Sequence, residues 1–327
     1  MIRSKIVGVG SYLPKKVLTN FDLENLVNTS DEWIRTRTGV IERRIAGEDE
    51  ATSDLGYKAA IQAIEDAKIT PNDIDLILVA TTTPDTWLPS SACYIQNSLG
   101  INRGAALDIS AACAGFIFAL SMADQYIRAG TFKNILVIGS EVLSRITDWT
   151  DRNTCVLFGD GAGAVVVQAS DSEDNGILST HIHSDGTYKD YLIVPGGGSR
   201  KPLSNEVIDK KLNYIKMKGN ETFKIAVTAM TSVAKEALDA NGYKSSELDL
   251  LITHQANKRI INAIAKRLKL PKEKVYINLE KYGNTSAASI PIALDEAKRE
   301  GLLKEGSLIL LVGLGAGFAW GSALVKM

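Results

Sequence analysis

Cysteine is scarce in this chain. Three occur among 327 residues, Cys93, Cys113 and Cys155, and none are spaced as C-x-x-C. Three cannot all pair internally, so the expected setting is a reducing, cytoplasmic compartment. Histidine is as scarce, at His181, His183 and His254. His181 and His183 share one face of an expected strand, but no carboxylate or cysteine lies at ligand spacing, so no metal site is expected there. An excess of one charge is also missing: 37 Lys and Arg face 38 Asp and Glu. That balance gives no case for nucleic-acid binding. The N-terminus lacks the apolar run of a signal peptide. Leu308 to Val325 carries no charge and is long enough to cross a membrane. Gly313, Gly315, Gly317 and Gly321 divide it, so two buried strands joined by a glycine-rich turn are expected, and no membrane association.

What the chain does have is length and apolar content. At 45% hydrophobic it can bury a large core in two domain-sized halves. Periodicity reads as strand Lys5–Gly10, helix Asn20–Asn28, a helix opened by the capping-box pattern Thr29–Glu32, amphipathic helix Thr52–Lys68 and strand Ile74–Ala80. Strand Gly104–Ile109, a helix around Cys113 and strands Ile135–Gly139 and Ala164–Gln168 follow. Helix Thr222–Ala240, strand Leu248–Thr253, helix Lys258–Leu268, strand Val275–Asn278, helix Ser286–Glu300 and strand Leu308–Val312 repeat that order. At one ungapped offset of 174 residues, Ala63–Leu78 aligns with Ala237–Ile252, Ser110–Leu120 with Asn284–Leu294, and Ile135–Gly139 with Ile309–Gly313. The expected architecture is a duplicated α/β unit. Residues 1–172 carry Cys113, residues 173–327 carry His254 and Asn284, and the two halves form one compact body joined at Ser170–Asn175.

Cys113 lies where an apolar strand gives way to a helix, among Ser110, Ala111, Ala112, Ala114 and Gly115. Small neighbours leave the sulfur approachable, and a helix N-terminus favours a thiolate. The competing reading is an inert, buried cysteine. The duplication bears on that choice. Strand Leu248–Thr253 ends at His254-Gln-Ala-Asn257, and the second-copy helix follows Gly283-Asn-Thr-Ser. Ligands of open α/β sheets bind beyond the carboxyl ends of strands, so a pseudo-twofold axis would bring Cys113, His254 and Asn284 to one crevice.

Several stretches together resemble the β-ketoacyl-acyl-carrier-protein synthase III family, the condensing enzymes that start type II fatty-acid synthesis. They are Thr29-Ser-Asp-Glu-Trp-Ile34, Arg37-Thr-Gly39, the Cys113 stretch, Asp151-Arg152, Phe158-Gly-Asp-Gly-Ala-Gly163, Gly219-Asn220, His254-Gln-Ala-Asn257, Gly283-Asn-Thr-Ser-Ala-Ala-Ser289 and Phe318-Ala-Trp-Gly-Ser-Ala-Leu324. The resemblance implies a thiolase-like fold of layered α-β-α-β-α units with mixed sheets. It implies a homodimeric acyltransferase with no metal and no cofactor, acyl-CoA being a substrate and malonyl-loaded acyl carrier protein the partner. Cys113, His254 and Asn284 would form its triad: Cys113 takes an acyl group, by resemblance acetyl, and His254 and Asn284 stabilise the enolate left by decarboxylation.

The same resemblance assigns the surroundings. Backbone N–H groups at Cys113 and Ala316 would hold the tetrahedral oxyanion. Trp33, Arg37 and Arg152 would grip the adenine and phosphates of CoA, with Asn220, Phe223 and Asn257 along the pantetheine. Phe158 and Leu88, the latter reached from the neighbouring subunit, would shape the acyl pocket. Lys224, Gln255, Lys258, Arg259, Lys266 and Arg267 make the candidate carrier-protein face. Two departures stand out. Leu88 replaces a common Phe and points to a longer or branched acyl group. Ala316 replaces a common Gly and would add strain if the turn needs a positive φ.

The rivals fail on particular residues. A biosynthetic thiolase needs a second, C-terminal cysteine, and the last here is Cys155. Elongating ketosynthases need a second histidine where Asn284 stands. A dinucleotide-binding dehydrogenase needs G-x-G-x-x-G between strand and helix, and Gly8-Val-Gly-Ser-Tyr-Leu13 lacks the third glycine. A non-catalytic carrier-binding scaffold would form no adduct at Cys113. A fold relative that acylates an alcohol or amine without decarboxylation shares the triad and stays open.

Overall fold

A computed structural model describes residues 2–171 and 175–327. The expected boundary between residues 172 and 173 lies outside the described residues. The first half runs β1 (Arg3–Tyr12), β2 (Lys16–Thr19), α1 (Asn20–Glu24), α2 (Asp31–Thr38), β3 (Glu42–Ile45), α3 (Thr52–Asp66), β4 (Leu76–Ala80), α4 (Ser91–Ser98), β5 (Ala105–Ile109), α5 (Gly115–Arg128), β6 (Asn134–Glu141), α6 (Arg152–Cys155) and β7 (Gly161–Ser170). The second runs β8 (Gly176–Ser184), β9 (Leu192–Ile193), α7 (Asn205–Asp209), β10 (Lys216–Met217), α8 (Gly219–Ala240), β11 (Leu250–Thr253), α9 (Lys258–Arg267), β12 (Val275–Tyr276), α10 (Leu279–Tyr282), α11 (Ser289–Arg299), β13 (Leu308–Gly315) and β14 (Ala319–Lys326).

Two five-stranded mixed sheets carry the fold, in the orders β1-β7-β6-β4-β5 and β8-β14-β13-β11-β12. In the first, β1 and β6 run antiparallel to β7, while β4 runs parallel to β6 and β5. The second repeats this strand for strand, with β8 and β13 antiparallel to β14 and β11 parallel to β13 and β12. The correspondence extends to local detail: β6 and β13 start and end 174 positions apart, as do the 3-10 turns Ala112–Ala114 and Ser286–Ala288.

The layers follow from where apolar residues fall. β4 is buried at every position, which is why its sequence reads as an unbroken apolar run. α5 is apolar on most of its circumference, and such a helix belongs inside. Phe116, Ile117, Leu120 and Ile127 of α5 share one core with Ile290, Ala293 and Leu294 of α11 and with residues of both sheets. α5 and α11 thus form the middle layer. α3 and α4 cover the outer face of the first sheet, and α8 and α9 that of the second. The close fit in the middle needs a glycine at 139: a Cβ there would lie 2.3 Å from the Ala287 carbonyl oxygen. That contact seats the turn Ser286–Ala288 against the carboxyl half of β6.

Some expected boundaries shift. The second helix is capped by Ser30, whose Oγ accepts the Trp33 N–H at 3.1 Å, not by the Thr29 capping box. Helix Ser286–Glu300 divides into the 3-10 turn and α11, because Ser286 adopts φ of 49° and cannot continue an α-helix. The uncharged C-terminal run is the antiparallel pair β13–β14. Among the described residues no helix is long and apolar enough to cross a membrane.

Candidate active site

The chain leaves β5 at Ile109 and enters α5 through the 3-10 turn that holds Cys113. The cysteine is buried, with 7% of its surface exposed. Burial pushes its thiol up to about 12; the Ser286 side chain pulls the other way, and the nearby Glu141 adds to the rise. The expectation that the helix terminus favours a thiolate is therefore corrected. Desolvation outweighs the dipole, and the resting group is a thiol.

His254 follows β11, and its N–H donates to the Val312 carbonyl at 2.7 Å. Its Nδ1 lies 2.8 Å from Ser289 Oγ, which also accepts the Gln255 N–H at 3.3 Å. Desolvation lowers the imidazole to about 3, so it is neutral at physiological pH. Asn284 is held by its backbone: its N–H donates to the Leu157 carbonyl at 2.8 Å and its carbonyl accepts the Gly159 N–H at 3.1 Å. Its Oδ1 accepts the Ser286 N–H at 2.8 Å, which fixes the carboxamide and leaves Nδ2 without a partner among the described residues.

These three residues, distant in sequence, line one cavity together with Phe223, Asn257, Ile260 and Leu314. A second cavity of about 240 Å³ meets Cys113 from the other side. Its walls are apolar, from Leu143, Ile146, Ile193, Val194 and Ile215, with Thr82, Ser286 and Ala316 beside the sulfur. Phe158 lines both cavities. A buried thiol at the junction of two cavities, beside a neutral imidazole and an oriented carboxamide, suits transfer of a group between two substrates.

Known proteins match this arrangement over the whole chain. Residues 107–186 match the family described as 3-oxoacyl-[acyl-carrier-protein] synthase III, and residues 238–327 match its C-terminal family. The β-ketoacyl-[acyl-carrier-protein] synthase III of Caldanaerobacter subterraneus is 56% identical over 99% of this chain and 98% of its own. The chain belongs to the β-ketoacyl-[acyl-carrier-protein] synthase III family. The crystal structure of 3-oxoacyl-[acyl-carrier-protein] synthase III from Aquifex aeolicus superposes with a TM-score of 0.92 at 51% identity, covering 99% of this chain and 100% of that one. A priming β-ketosynthase from the R1128 polyketide pathway superposes with a TM-score of 0.92 at 35% identity, over 99% of this chain and 96% of that one. The fold is thus thiolase-like, and the protein is an acyltransferase of the condensing class that initiates fatty-acid synthesis.

Within this synthase III scaffold the remaining expected residues separate. The Arg152 guanidinium stacks 3.9 Å from the Trp33 ring centroid, and that of Arg37 lies at 5.8 Å. Asn257 joins this group to the first cavity: its Nδ2 donates to the Arg37 carbonyl at 3.1 Å while its Oδ1 caps α9. Asn220 is exposed on the first turn of α8 and does not line the cavity that Gly219, Thr222 and Phe223 line. Gln255 is not a surface residue. It is 1% exposed, its amide nitrogen donates to the Thr253 and Tyr276 carbonyls, and its oxygen accepts the Asn278 N–H. Its carrier-protein role is withdrawn, because a buried amide with every partner inside the fold cannot meet a docking protein.

Arg259 lies over the Phe223 ring at 5.4 Å, at the cavity mouth, and Lys258 is exposed beside it. Lys266 and Arg267 sit in the last turn of α9, about 12 Å further along the helix. Lys224 lines a separate surface cleft with Asp185 and Trp320. Leu88 is 87% exposed and touches neither cavity of its own chain. Ala316 needs no left-handed backbone. The positive φ falls on Gly317, at 136°, and the expected strain does not arise. His181 and His183 do face a carboxylate, that of Glu236 on α8, at 3.3 and 2.7 Å. Among the described residues no three such groups are arranged to hold a metal.

Reading the sequence missed Ser286, Ser289 and Glu141. Ser289 was invisible because its contact with His254 spans two elements. Glu141 carried a usable signal: an acid at the carboxyl end of an apolar strand, where α/β sheets bind ligands.

Proposed function

We propose that Cys113 takes an acyl group from acyl-CoA, releases CoA, and passes the group to the carbanion formed when malonyl-acyl carrier protein loses CO2, yielding a 3-oxoacyl-carrier protein. The observation that carries this reading is the meeting of two cavities at the Cys113 sulfur. The mouth-side cavity would take the pantetheine arm of either thioester, and the apolar one the acyl chain. Because both substrates use one arm, they bind in turn, and ping-pong kinetics follow.

Decarboxylation leaves an enolate oxygen that needs donors in a site from which water is excluded. With the Ser289 hydroxyl donating to His254 Nδ1 while its oxygen accepts the Gln255 N–H, the ring proton sits on Nε2. Nε2–H and the Asn284 Nδ2–H are then the two donors. The tetrahedral oxyanion on the acyl carbon would rest on the backbone N–H groups of Cys113 and Ala316. Gly315 supports this: a Cβ there would lie 2.5 Å from the Cys113 nitrogen, so turn and nucleophile share one wall.

Incubating the protein with acetyl-, butyryl- and isobutyryl-CoA and reading its intact mass tests the proposal. One acyl adduct is expected, and its absence with all three would sink it. Acetyl is the primer the family resemblance implies. The aliphatic walls of the second cavity offer more apolar contact than a methyl group can use, so loading by the four-carbon acyl groups is expected to match or exceed acetyl. We further propose a cytoplasmic homodimer in which Leu88 completes the partner's acyl pocket. The 80% and 87% exposure of Trp87 and Leu88 supports it, since adjacent large apolar side chains are seldom left in water. Lys258 and Arg259 at the cavity mouth are the proposed anchor for the acidic carrier protein.

Trp33 would stack on the adenine of CoA with Arg152 above it. Stacking of this kind contributes about 1–3 kcal/mol. Trp33→Ala is accordingly expected to raise KM for acyl-CoA about tenfold with kcat little changed. Steady-state kinetics at saturating malonyl-carrier protein would check it, and an unchanged KM would remove Trp33 from the CoA site.

A further inference from the structure

Thr82 is a wall of the apolar cavity, beside the Cys113 sulfur, on the loop that leaves β4 and runs through Leu88 to α4. A threonine there can offer an acyl chain either a methyl group or a hydroxyl, and the group behind it settles which. That group is Glu141, the last residue of β6, which is fully buried and lines neither cavity. Its Oε2 accepts the Thr82 N–H at 3.1 Å and the Thr82 hydroxyl at 3.0 Å, and its Oε1 meets the same hydroxyl at 3.2 Å. Oε2 also accepts the Thr83 hydroxyl at 2.8 Å and the Thr81 hydroxyl at 3.3 Å. Four donors converging on one oxygen suit a carboxylate, which only accepts.

The same joint carries further walls. The Val142 N–H donates to Thr83 Oγ1 at 2.9 Å, and Leu143 and Ile146, which follow it in the chain, line the apolar cavity. The Thr83 N–H donates to Thr81 Oγ1 at 3.1 Å, which closes the three threonines into one network around the carboxylate. The outer part of the loop is tied separately. Asp85 accepts the Ser53 hydroxyl at 2.6 Å, and its N–H donates to Ser91 Oγ at 3.2 Å. The stretch from Thr81 to Thr83 is therefore the part whose place depends on Glu141. A buried polar network of this kind, when its members are satisfied, holds one arrangement. Because Glu141 takes both polar hydrogens of Thr82, the methyl group is what that side chain has left to present to the cavity.

We propose that Glu141 is a positioning residue for acyl selectivity: by holding Thr82 through its N–H and hydroxyl, it fixes a carbon-faced wall beside Cys113 and limits the length of acyl chain the cavity accepts. This rests on the functional reading above. Glu141 touches no substrate and moves no proton. It acts on the acyl group through Thr82, while His254 and Asn284 work from the mouth-side cavity, which neither Glu141 nor Thr82 lines.

The test reads a ratio in the full-length protein: the rate of Cys113 acylation by octanoyl-CoA over that by butyryl-CoA, from rapid quench and intact mass. Glu141→Ala opens space behind Thr82 and lets the wall yield. The ratio is expected to rise about tenfold, the gain of roughly two more buried methylene groups. Glu141→Gln keeps an oxygen to accept from the threonines, and its amide can donate to Thr82 Oγ1, so its ratio should stay within about twofold of wild type. Decarboxylation of malonyl-carrier protein is the internal reference and should fall less than about threefold in either variant. A merely structural role would slow both acyl groups and the decarboxylation together and leave the ratio where it was. An unchanged ratio in folded E141A, or an equal shift in E141Q, overturns the positioning role and leaves the functional reading intact. Should E141A not fold, Glu141→Asp decides. Its shorter carboxylate cannot hold Thr82 and Thr83 where they stand, so a rise of about threefold is expected, and an unchanged ratio overturns the proposal. A wild-type protein that takes no acyl group from acyl-CoA overturns the functional reading as well.

Discussion

Cys113→Ala is expected to stay at its unmodified mass after incubation with any acyl-CoA, and its condensation rate should fall by at least about 10³-fold, as when a covalent nucleophile is removed. The fold should survive. The side chain is small, and the change removes one buried sulfur from a site already bordered by cavities, which costs on the order of 1 kcal/mol. His254 and Asn284 keep their hydrogen bonds to Ser289 and Ser286, so slow decarboxylation of malonyl-carrier protein should persist without condensation. Release of CO2 in the absence of a 3-oxoacyl product would thus separate the two donors from the nucleophile. An acyl adduct on the alanine variant would move the covalent site elsewhere, with Cys93 and Cys155 the remaining thiols.

The second large effect is expected at Asn284. Asn284→Asp keeps an oxygen to accept the Ser286 N–H, so the turn that carries Ser286 should remain in place. It replaces the Nδ2 donor by a second acceptor carrying negative charge. Loss of one oxyanion donor costs roughly 10²–10³ in rate, and a charge opposing the enolate adds to that. Condensation and malonyl decarboxylation are expected to fall by about 10³-fold or more, while loading of Cys113 by acyl-CoA changes far less. Asn284→Ala should show the same kinetic loss and also a lower melting temperature, because a buried Ser286 N–H left without an acceptor costs about 1–3 kcal/mol. Equal loss in the two half-reactions would remove Asn284 from the decarboxylation step.

Much of this protein is legible before any coordinates. Strand patterns are strong where both faces are buried, as in β4 and β13, since a continuous apolar run tolerates little else. The duplication is legible because two copies that build the same sheet keep small and apolar residues at matching positions, down to the 3-10 turns before α5 and α11. From that repeat alone the meeting of Cys113, His254 and Asn284 follows: each lies beyond the carboxyl end of a strand or at the start of a middle-layer helix. Surface and mouth residues read less well. Gln255 sits beside His254 in an exposed-looking polar stretch, yet its amide faces inward because β11 and β12 leave carbonyls there to be satisfied. Asn220 and Phe223 are three residues apart on α8, and only Phe223 turns toward the cavity.

The sequence by itself determined the α/β class and the two-copy architecture, and it singled out Cys113 as the candidate nucleophile with His254 and Asn284 as its expected partners. Those follow from local periodicity, residue chemistry and a repeat, all of which are written in one dimension. Only the tertiary structure decided the protonation of the site. Burial makes Cys113 a thiol and His254 a neutral ring, against what a helix terminus alone would suggest, because desolvation depends on every atom packed around a group and not on its neighbours in the chain. For the same reason Ser289 became visible only in three dimensions: it meets His254 across a contact between elements 35 residues apart in the chain.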